Sequence, residues 1–394
     1  MRCVGTVVRG IRTPIIKEND DLATIVVDSL MDAKESEGFE FKDKDVVAIT
    51  EAVVGISEGN YVTVDDIAED LKTKFPSKKI GVVNPILSRN RFSVVLKGIA
   101  RGMDKITLQT SFPSDEVGNG IMDEEILDES KFDLVSVISE DEYKEVFGSW
   151  KHPFTGINMI DFYRDLIESE GCEVEFVFSN DIRTILDYAN DVLTCDIHTR
   201  NKTTKTLKSH GANVYGLHQV LNKPVGESGF NPDFGLLGSN KATEERLKLF
   251  PKTGDTLVRE IQKGLIDITG KQIEVMVYGD GAFKDPVGHI WELADPVVSP
   301  AYTSGLVGTP NEIKLKYVSD NKFANLKGDK LKDAIKDEIK QKDADLTGQM
   351  ITQGTTPRRL TDLIGSLCDL TSGSGDKGTP VIFIQGYFDN LAND

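Results

Sequence analysis

An alternation of strand-like and helix-like segments over residues 173–217 constrains the fold more than any other feature. The run EVEFVFSNDIRTILDYANDVLTCDIHTRNKTTKTLKSHGANVYGL reads strand, helix, strand, helix, strand. Because parallel strands need a crossover connection, usually a helix, this rhythm predicts a parallel, doubly wound sheet. Strand-like runs at 79–83, 106–109 and 134–138 share the rhythm. We therefore predict a Rossmann-like α/β unit over residues 78–217, with one large continuous domain as the alternative.

The sequence on either side of this unit, residues 1–77 and 218–394, has the character of an α+β core. Four of its segments read as strands, namely Val4 to Val8, Asp45 to Thr50, Gln272 to Tyr278 and Val381 to Gln385, and the last three are apolar enough to be buried. A loop is predicted after Thr50, and a highly charged helix over 325–345. The predicted fold is thus an α+β core, discontinuous in sequence and interrupted by an α/β insertion.

Charge and cysteine content narrow the class of function. The chain has 64 acidic and 46 basic side chains, a net charge of -18, which disfavours nucleic acid and anionic membranes as partners. A phosphate whose charge is carried by a divalent metal is still compatible. The four cysteines form no CxxC pair, and neither a membrane-length apolar run nor a signal-peptide pattern is found. We expect free thiols and a cytoplasmic location.

The loop GDGAFKDP places Asp280 and Asp285 directly after a predicted buried strand. Two carboxylates on one short loop suit Mg²⁺ or Mn²⁺, which prefer oxygen ligands and accompany phosphates. The alternative is an Asp-Gly turn in which the aspartate bonds to its own backbone. The sequence predicts a divalent metal site here, with that turn left open.

Two further loops suit an anionic ligand. In TSGSGDKGTP, Gly375 and Gly378 could offer backbone N–H groups to a phosphate, and Lys377 adds positive charge. In RGIRTPIIKENDDL, Thr13 lies between Arg12 and Lys17 at a strand exit. An ordinary linker and a solvated turn are the respective alternatives.

A separate anion site is predicted in the α/β unit. The segment after its first strand contains Asn84, Ser88, Arg89 and Arg91, and ligands usually bind at the carboxyl ends of parallel strands. Arginines there could clamp a carboxylate or a phosphate. Three residues after other strands are expected near the same edge: Ser111, Asn180 and His198. Ordinary loop polarity is the alternative.

Four segments resemble one family, the coenzyme F-420 gamma-glutamyl ligases. They are GIRTPIIKENDDLATIV, DKDVVAITEAVVGISEG, LLGSNKATEERLKLFPKTGDTLVREIQKGLIDITGKQIEVMVYGDGAFKDP and LTDLIGSLCDLTSGSGDKGTPVIFIQG. Their order and spacing fit over residues 1–75 and 218–394. Residues 78–217 have no counterpart in the shorter members of the family.

The resemblance implies a reaction and its cofactors. Such ligases use GTP to phosphorylate a substrate carboxylate, and the amino group of glutamate then attacks the acyl phosphate. Divalent metal, Mg or Mn, holds the phosphates, and K⁺ assists. The implied partners are the nucleotide, a small anionic acceptor and a second copy of the chain in a homodimer.

The resemblance also implies site residues, although no catalytic residue is identified. The expected nucleotide-binding residues are Thr13, Pro14, Ile15, Ile16, Glu51, Ser239, Asn240, Gly375, Lys377 and Gly378. The expected metal ligands are Asp280, which the resemblance matches to a metal-binding aspartate, together with Asp285 and Asp376. Two departures stand out, because Leu237 occupies the place of a metal aspartate and Ile56 that of a nucleotide lysine.

Three hypotheses remain open. The first is an amide ligase with a diverged site that adds glutamate or a similar amino acid to a small molecule. The second is a catalytically silent protein that binds a nucleotide or small anion, which the replacements at Leu237 and Ile56 favour. The third keeps the chemistry and changes the acceptor, as in a folate-like polyglutamylation.

Overall fold

The computed structural model describes residues 3–84, 87, 91–115, 120–148, 150–153, 155–197, 199–279, 299–352, 358–372 and 376–393. The strands in these ranges are β1 (Val7–Ile11), β2 (Val46–Thr50), β3 (Tyr61–Thr63), β4 (Lys79–Val83), β5 (Lys105–Thr110), β6 (Ile138–Ser139), β7 (Glu173–Phe178), β8 (Asp191–Thr194), β9 (Asn213–Gly216), β10 (Asn240–Thr243), β11 (Arg246–Lys248), β12 (Glu274–Tyr278), β13 (Ala301–Tyr302) and β14 (Val381–Gln385).

The helices follow the same chain order. They are α1 (Leu22–Glu37), α2 (Glu51–Ser57), α3 (Val64–Lys74), α4 (Arg91–Gly102), α5 (Glu124–Glu129), α6 (Glu140–Phe147), α7 (Met159–Ser169), α8 (Arg200–Ser209), α9 (Gly254–Thr269), α10 (Leu315–Asn321), α11 (Gly328–Gln341) and α12 (Leu360–Ser372). Short 3-10 helices occupy Ile182–Asp187, Leu217–Gln219, Ser304–Leu306, Met350–Thr352 and Leu391–Asn393.

A five-stranded mixed sheet has the order β1-β14-β2-β12-β13. Strands β2 and β12 are parallel, with Thr50 opposite Tyr278, whereas β14 runs antiparallel to both β1 and β2. Alternate side chains of the strands enter two different apolar clusters, one shared with α1 and α9 and the other with α12. The sheet is therefore the middle of three layers, which explains why its central strands are nearly continuous in apolar residues.

A six-stranded sheet, in the order β6-β7-β5-β4-β8-β9, is built from residues 79–216. Its neighbours are parallel except for the β6 and β7 pair. The strand of this sheet that comes first in the sequence, β4, lies inside the sheet, with β5 and β7 on one side and β8 and β9 on the other. This is the strand order of a doubly wound sheet.

Packing continues past the ends of this sheet in the sequence. The apolar cluster on it also contains Ile67 and Leu71 of α3, together with Leu247 and Leu249 at the β11 strand. Strand β11 joins β3 and β10 in a small three-stranded sheet. The mixed α/β class is confirmed, and the division into a core and an insertion at 78–217 stays a prediction.

Three sequence expectations differ from the structure. The first strand was expected at Val4 to Val8 but lies at Val7–Ile11, because its pairing with β14 begins at Val7. The residues after Thr50 form helix α2 where a loop was expected. The run 134–138 contributes only Ile138 to a strand, because Ser136 hydrogen-bonds through its side chain to both the carboxyl and the backbone N–H of Asp133. Such local side-chain bonds hold a turn and compete with strand pairing.

Candidate functional site

One edge of the five-stranded sheet gathers most of the residues predicted from the sequence. Strands β1, β2 and β12 end at this edge, and the antiparallel strand β14 begins there. The backbone N–H of Thr50 donates to the Pro380 carbonyl at 3.0 Å, and that of Thr13 to the Gly378 carbonyl at 3.4 Å. The loop after β1, the start of α2, and the residues before β14 are therefore neighbours at this edge.

A buried polar cluster lies at the start of α2. Glu51 is 3% exposed and Lys248 is 6% exposed. Asn240 donates from Nδ2 to Glu51 Oε1 at 3.1 Å, and Lys248 Nζ lies 3.9 Å from Glu51 Oε2. Lys248 Nζ also donates to the Ala52 carbonyl at 3.0 Å. Two side chains from a distant part of the sequence thus hold the Glu51 carboxyl group in a fixed position.

The β10–β11 hairpin explains how these two side chains reach Glu51. Asn240 and Lys248 face each other across the hairpin, so their side chains are neighbours. Helix α2 meets this hairpin at Gly55, where a Cβ would lie 3.1 Å from both Lys248 Cδ and the Leu249 carbonyl oxygen. The absence of a side chain at Gly55 allows the lysine stem to pass close to the helix.

The loop after β1 is held at both ends. Ile16 is buried in the cluster between the sheet and α1, whereas Ile15 is 87% exposed. Asn19 donates its backbone N–H to the Ser57 carbonyl at 2.9 Å, tying the end of the loop to the end of α2. Predicted nucleotide residues therefore have unlike environments, with Ile16 in the core and Ile15 facing solvent.

An open groove of about 960 Å³ runs beside β1. Three predicted residues line it, Thr13, Pro14 and Lys377, together with Arg9 and Arg12. The facing side is acidic, with Asp32 and Glu37 of α1. A groove with cations on the loop side suits an anionic group placed next to the strand end.

The end of β12 carries a buried hydroxyl group. Tyr278 is 1% exposed, and its Oη has no hydrogen-bond partner among the described residues. Burial raises the pKa of this phenol above its usual range. The tyrosine therefore stays neutral at physiological pH and contributes a polar atom to the edge where β2 and β12 end.

Of the three predicted metal ligands, only Asp376 lies in the part of the chain that the structure describes. Asp280, Asp285 and Gly375 lie outside the described residues, whereas Asp376 is exposed on the turn before β14. Within the ranges that the structure covers, no three acidic, histidine or cysteine side chains are grouped closely enough to hold a metal.

Some residues of the predicted anion site in the six-stranded sheet are described by the structure and others are not. Asn84 is fully buried at the end of β4, whereas Ser88, Arg89 and His198 and the side chain of Arg91 lie outside the described part. Asn180 is a structural residue, since its amide bonds to both backbone groups of Phe112 and to the Leu134 carbonyl. Ser111 lines a small cavity at this edge.

Lys248 was not singled out from the sequence. It stands between Leu247 and Leu249, where strand alternation predicts an exposed lysine on an amphipathic strand. It is buried because α2 covers that face of the hairpin. Only the small residue at Gly55 hints at this close approach.

Comparison with known proteins adds one match. A family model described as F420-0:Gamma-glutamyl ligase matches residues 10–386, which is nearly the whole chain. No curated protein gives a significant match. Among the helices that the structure describes, none combines the length and the apolar character needed to span a bilayer.

Proposed function

The chain belongs to the F420-0:gamma-glutamyl ligase family, and on that premise we propose that it is a GTP-dependent ligase that forms an amide bond. It would join glutamate, or a similar amino acid, to a carboxylate of a small anionic acceptor. The observation that carries this proposal is the meeting of the loop after β1, the Glu51–Asn240 pair and the turn at Gly378 at one sheet edge.

The chemistry needs an activated acyl group, because a carboxylate is a poor electrophile. In the proposed first step, an acceptor carboxylate oxygen attacks the γ-phosphorus of GTP, and GDP leaves. The amine nitrogen of the incoming amino acid then attacks the acyl carbon, phosphate departs with the electron pair of the C–O bond, and the nitrogen loses a proton. Such a reaction depends mainly on positioning and on neutralising charge.

The described residues suit a positioning role. Asn240 and Ser239 lie at the start of the hairpin, and the Glu51 contact fixes the Asn240 amide at the strand end. Thr13, Pro14 and Lys377 line the adjacent groove. We propose that these residues bind the nucleotide, with the backbone at Gly378 and the exposed side chain of Ile15 completing the contact surface.

Lys248 could supply the positive charge of the lysine that the family has at the position of Ile56. The sequence has Ile56 where that lysine is expected, on the same helix that Lys248 approaches. A buried ammonium group beside Glu51 adds positive charge close to the strand end. We propose that Lys248 neutralises part of the phosphate charge that the family's lysine would have neutralised.

The proposed metal ligands are Asp280, Asp285 and Asp376. A bound Mg²⁺ or Mn²⁺ would neutralise phosphate charge and orient the γ-phosphate. Asp376 lies on the turn leading to β14, at the sheet edge where β2 ends, and carboxylate oxygens suit these hard cations. Further parts of this proposal are assistance by K⁺, a homodimer, a cytoplasmic location, and an inserted α/β unit over 78–217.

Isothermal titration calorimetry tests the proposal, with GTP and ATP in the presence and absence of Mn²⁺ or Mg²⁺. We expect micromolar GTP binding that requires metal and is weakened by Asp280→Ala and by Asn240→Ala. Asn321→Ala, which changes an exposed asparagine of α10, serves as the control. If neither nucleotide binds the wild-type protein in the presence of metal, the ligase mechanism is wrong for this chain.

A further inference from the structure

A second candidate site lies in the six-stranded sheet, away from the edge described above. Strand β4 has β5 on one side and β8 on the other, and all three are parallel. The chain leaves β4 towards β5 and later returns to β8, so the connections diverge at the carboxyl ends of β4 and β8. Ligands bind outside the carboxyl ends of the strands at such a switch point.

A cavity of about 140 Å³ opens at this place. Gln109 at the end of β5 and Asp196 just after β8 both line it, and they are only 1% and 2% exposed. A single water needs only ~10–15 Å³ of such space, so the cavity has room for a molecule the size of a monosaccharide.

The hydrogen bonds of these two side chains leave one oxygen of each unused. Gln109 donates from Nε2 to the carbonyls of Ser179 and Asp181, at 3.2 and 2.8 Å, and its Oε1 has no partner in the described chain. Asp196 Oδ2 accepts from the hydroxyls of Thr199 and Thr203, at 2.6 and 2.7 Å, and its Oδ1 likewise has no partner there. The cavity therefore presents two fixed acceptors.

Further polar atoms without a partner in the described residues lie at the ends of these strands, outside the lining of the cavity. The Asn84 side chain, which is fully buried, has no partner for Oδ1 or for Nδ2 within the described ranges. The hydroxyls of Thr110 and Thr194, at the ends of β5 and β8, are also buried and have no partner within the described ranges. Buried polar groups are normally satisfied by protein, water or ligand, so the two unused oxygens in the cavity, Gln109 Oε1 and Asp196 Oδ1, indicate an occupant that donates to them.

The mixture of donors and acceptors identifies the chemistry of that occupant. Asp196 Oδ1 and Gln109 Oε1 only accept, whereas the hydroxyl of Ser111, which also lines the cavity, can both donate and accept. A phosphate offers acceptors alone and would face the Asp196 carboxyl, while an ammonium group offers donors alone. Hydroxyl groups donate and accept, and therefore match the whole set.

We propose that the carboxyl end of the six-stranded sheet holds a second ligand site, for a neutral small molecule with neighbouring hydroxyl groups. A free monosaccharide and the ribose of a nucleoside share this chemistry. Asp196 and Gln109 accept from the ligand hydroxyls, and the Ser111 hydroxyl donates to one of them. The site does not depend on the ligase function.

Ligand-observed saturation-transfer NMR on the full chain tests the proposal. The probes are D-ribose, D-glucose, adenosine and guanosine, with dideoxyadenosine as a nucleoside that lacks both neighbouring hydroxyls. We expect a hydroxylated probe to bind the wild type and to bind Asp196→Asn at least about tenfold more weakly, because one acceptor is lost. Asp187→Asn, an exposed aspartate of the same unit, should bind like the wild type.

Ser111→Leu guards against a folding defect in Asp196→Asn. Ser111 lines the cavity, and its replacement fills the space while the Asp196 contacts stay in place. We expect the same loss of binding, with an unchanged circular dichroism spectrum. Binding of free sugars would identify a sugar site, whereas binding of nucleosides alone would identify a ribose site.

Three results would overturn the proposal. The first is that no hydroxylated probe binds, as expected for a cavity filled only by water. The second is that the probes bind equally to the wild type and to both variants. The third is that dideoxyadenosine and adenosine bind equally. Nucleoside binding that Asn240→Ala removes and Asp196→Asn preserves would belong to the ligase edge, and it would also count against a second site.

Discussion

Glu51 and Asn240, separated by 189 positions in the sequence, are joined by a 3.1 Å hydrogen bond at the end of β2. We expect Asn240→Asp to disrupt this contact, because it places a second carboxyl group against a buried one. Metal-dependent GTP binding, measured by calorimetry, should weaken at least about tenfold. Asn321→Asp is the control, and equal affinity of Asn240→Asp and the wild type would contradict the prediction.

Lys248→Met should destabilise the fold, because it leaves the Glu51 carboxyl group buried without the neighbouring ammonium. We expect the free energy of unfolding, measured with denaturant, to fall by about 3 kcal/mol. Lys241→Met removes the exposed partner of Glu244 on the same hairpin and should cost less than about 1 kcal/mol.

A double-mutant cycle isolates the coupling between Glu51 and Lys248. The combined variant Glu51→Gln/Lys248→Met should lose clearly less stability than the sum of the two single losses, because neither charge is then left buried alone. Additive losses in the cycle would show that the 3.9 Å approach contributes nothing.

Gly55→Ala should impair binding more than stability. Its Cβ would lie 3.1 Å from Lys248 Cδ and from the Leu249 carbonyl oxygen, so the hairpin must shift slightly. The better helix propensity of alanine, worth up to about 1 kcal/mol, offsets part of this crowding in the unfolding free energy. We expect weaker GTP binding by calorimetry.

Gly264→Ala is the matched control for that variant. It also adds a methyl group within a helix, in this case 3.2 Å from Val27 Cγ2 and in another part of the fold. GTP affinity should be unchanged. A similar loss in both variants would show that helix crowding in general, and not the approach of Lys248, affects binding.

Glu142→Gln should reveal a pH-dependent contribution at the start of α6. The Ser139 backbone N–H, followed by Lys131, lowers the pKa of Glu142 to about 2. A lowered pKa means that the carboxylate stabilises the fold at neutral pH, and that this contribution disappears as the pH falls from about 4.3 to about 2. Urea unfolding across that range should show the difference between variant and wild type shrinking.

The exposed Glu145 of the same helix provides the control for this measurement. Glu145→Gln removes the same charge without removing a contact to Ser139, so its effect on unfolding should be smaller at every pH. A constant difference between Glu142→Gln and wild type from neutral pH to pH ~2 would contradict the assigned role.

The sequence predicts the elements well where local signals agree. Helix α9 ends at Gly270, whose φ of +66° is the left-handed conformation that glycine adopts without strain. Strands β2, β12 and β14 lie within or coincide with the predicted apolar runs, because strands buried on both faces need apolar residues throughout.

The candidate site is less predictable, because it depends on contacts between distant segments. The burial of Lys248 follows from the helix that covers its hairpin, and a Leu-Lys-Leu pattern alone indicates an exposed lysine. Asp196 was likewise not singled out, because a single aspartate after a strand usually bonds locally. Asp196 is distinguished by the cavity that it lines and by its Oδ1, which has no partner among the described residues.

The strand order of the five-stranded sheet has a consequence for synthesis on the ribosome. Strand β14 lies between β1 and β2 and is the strand that β1 pairs with, so β1 cannot join the sheet until residues 381–385 have been translated. All strands of the six-stranded sheet are made by residue 216. Since segments emerge in order and fold as units, the nascent chain should acquire a protease-resistant middle before its first strand finds a partner.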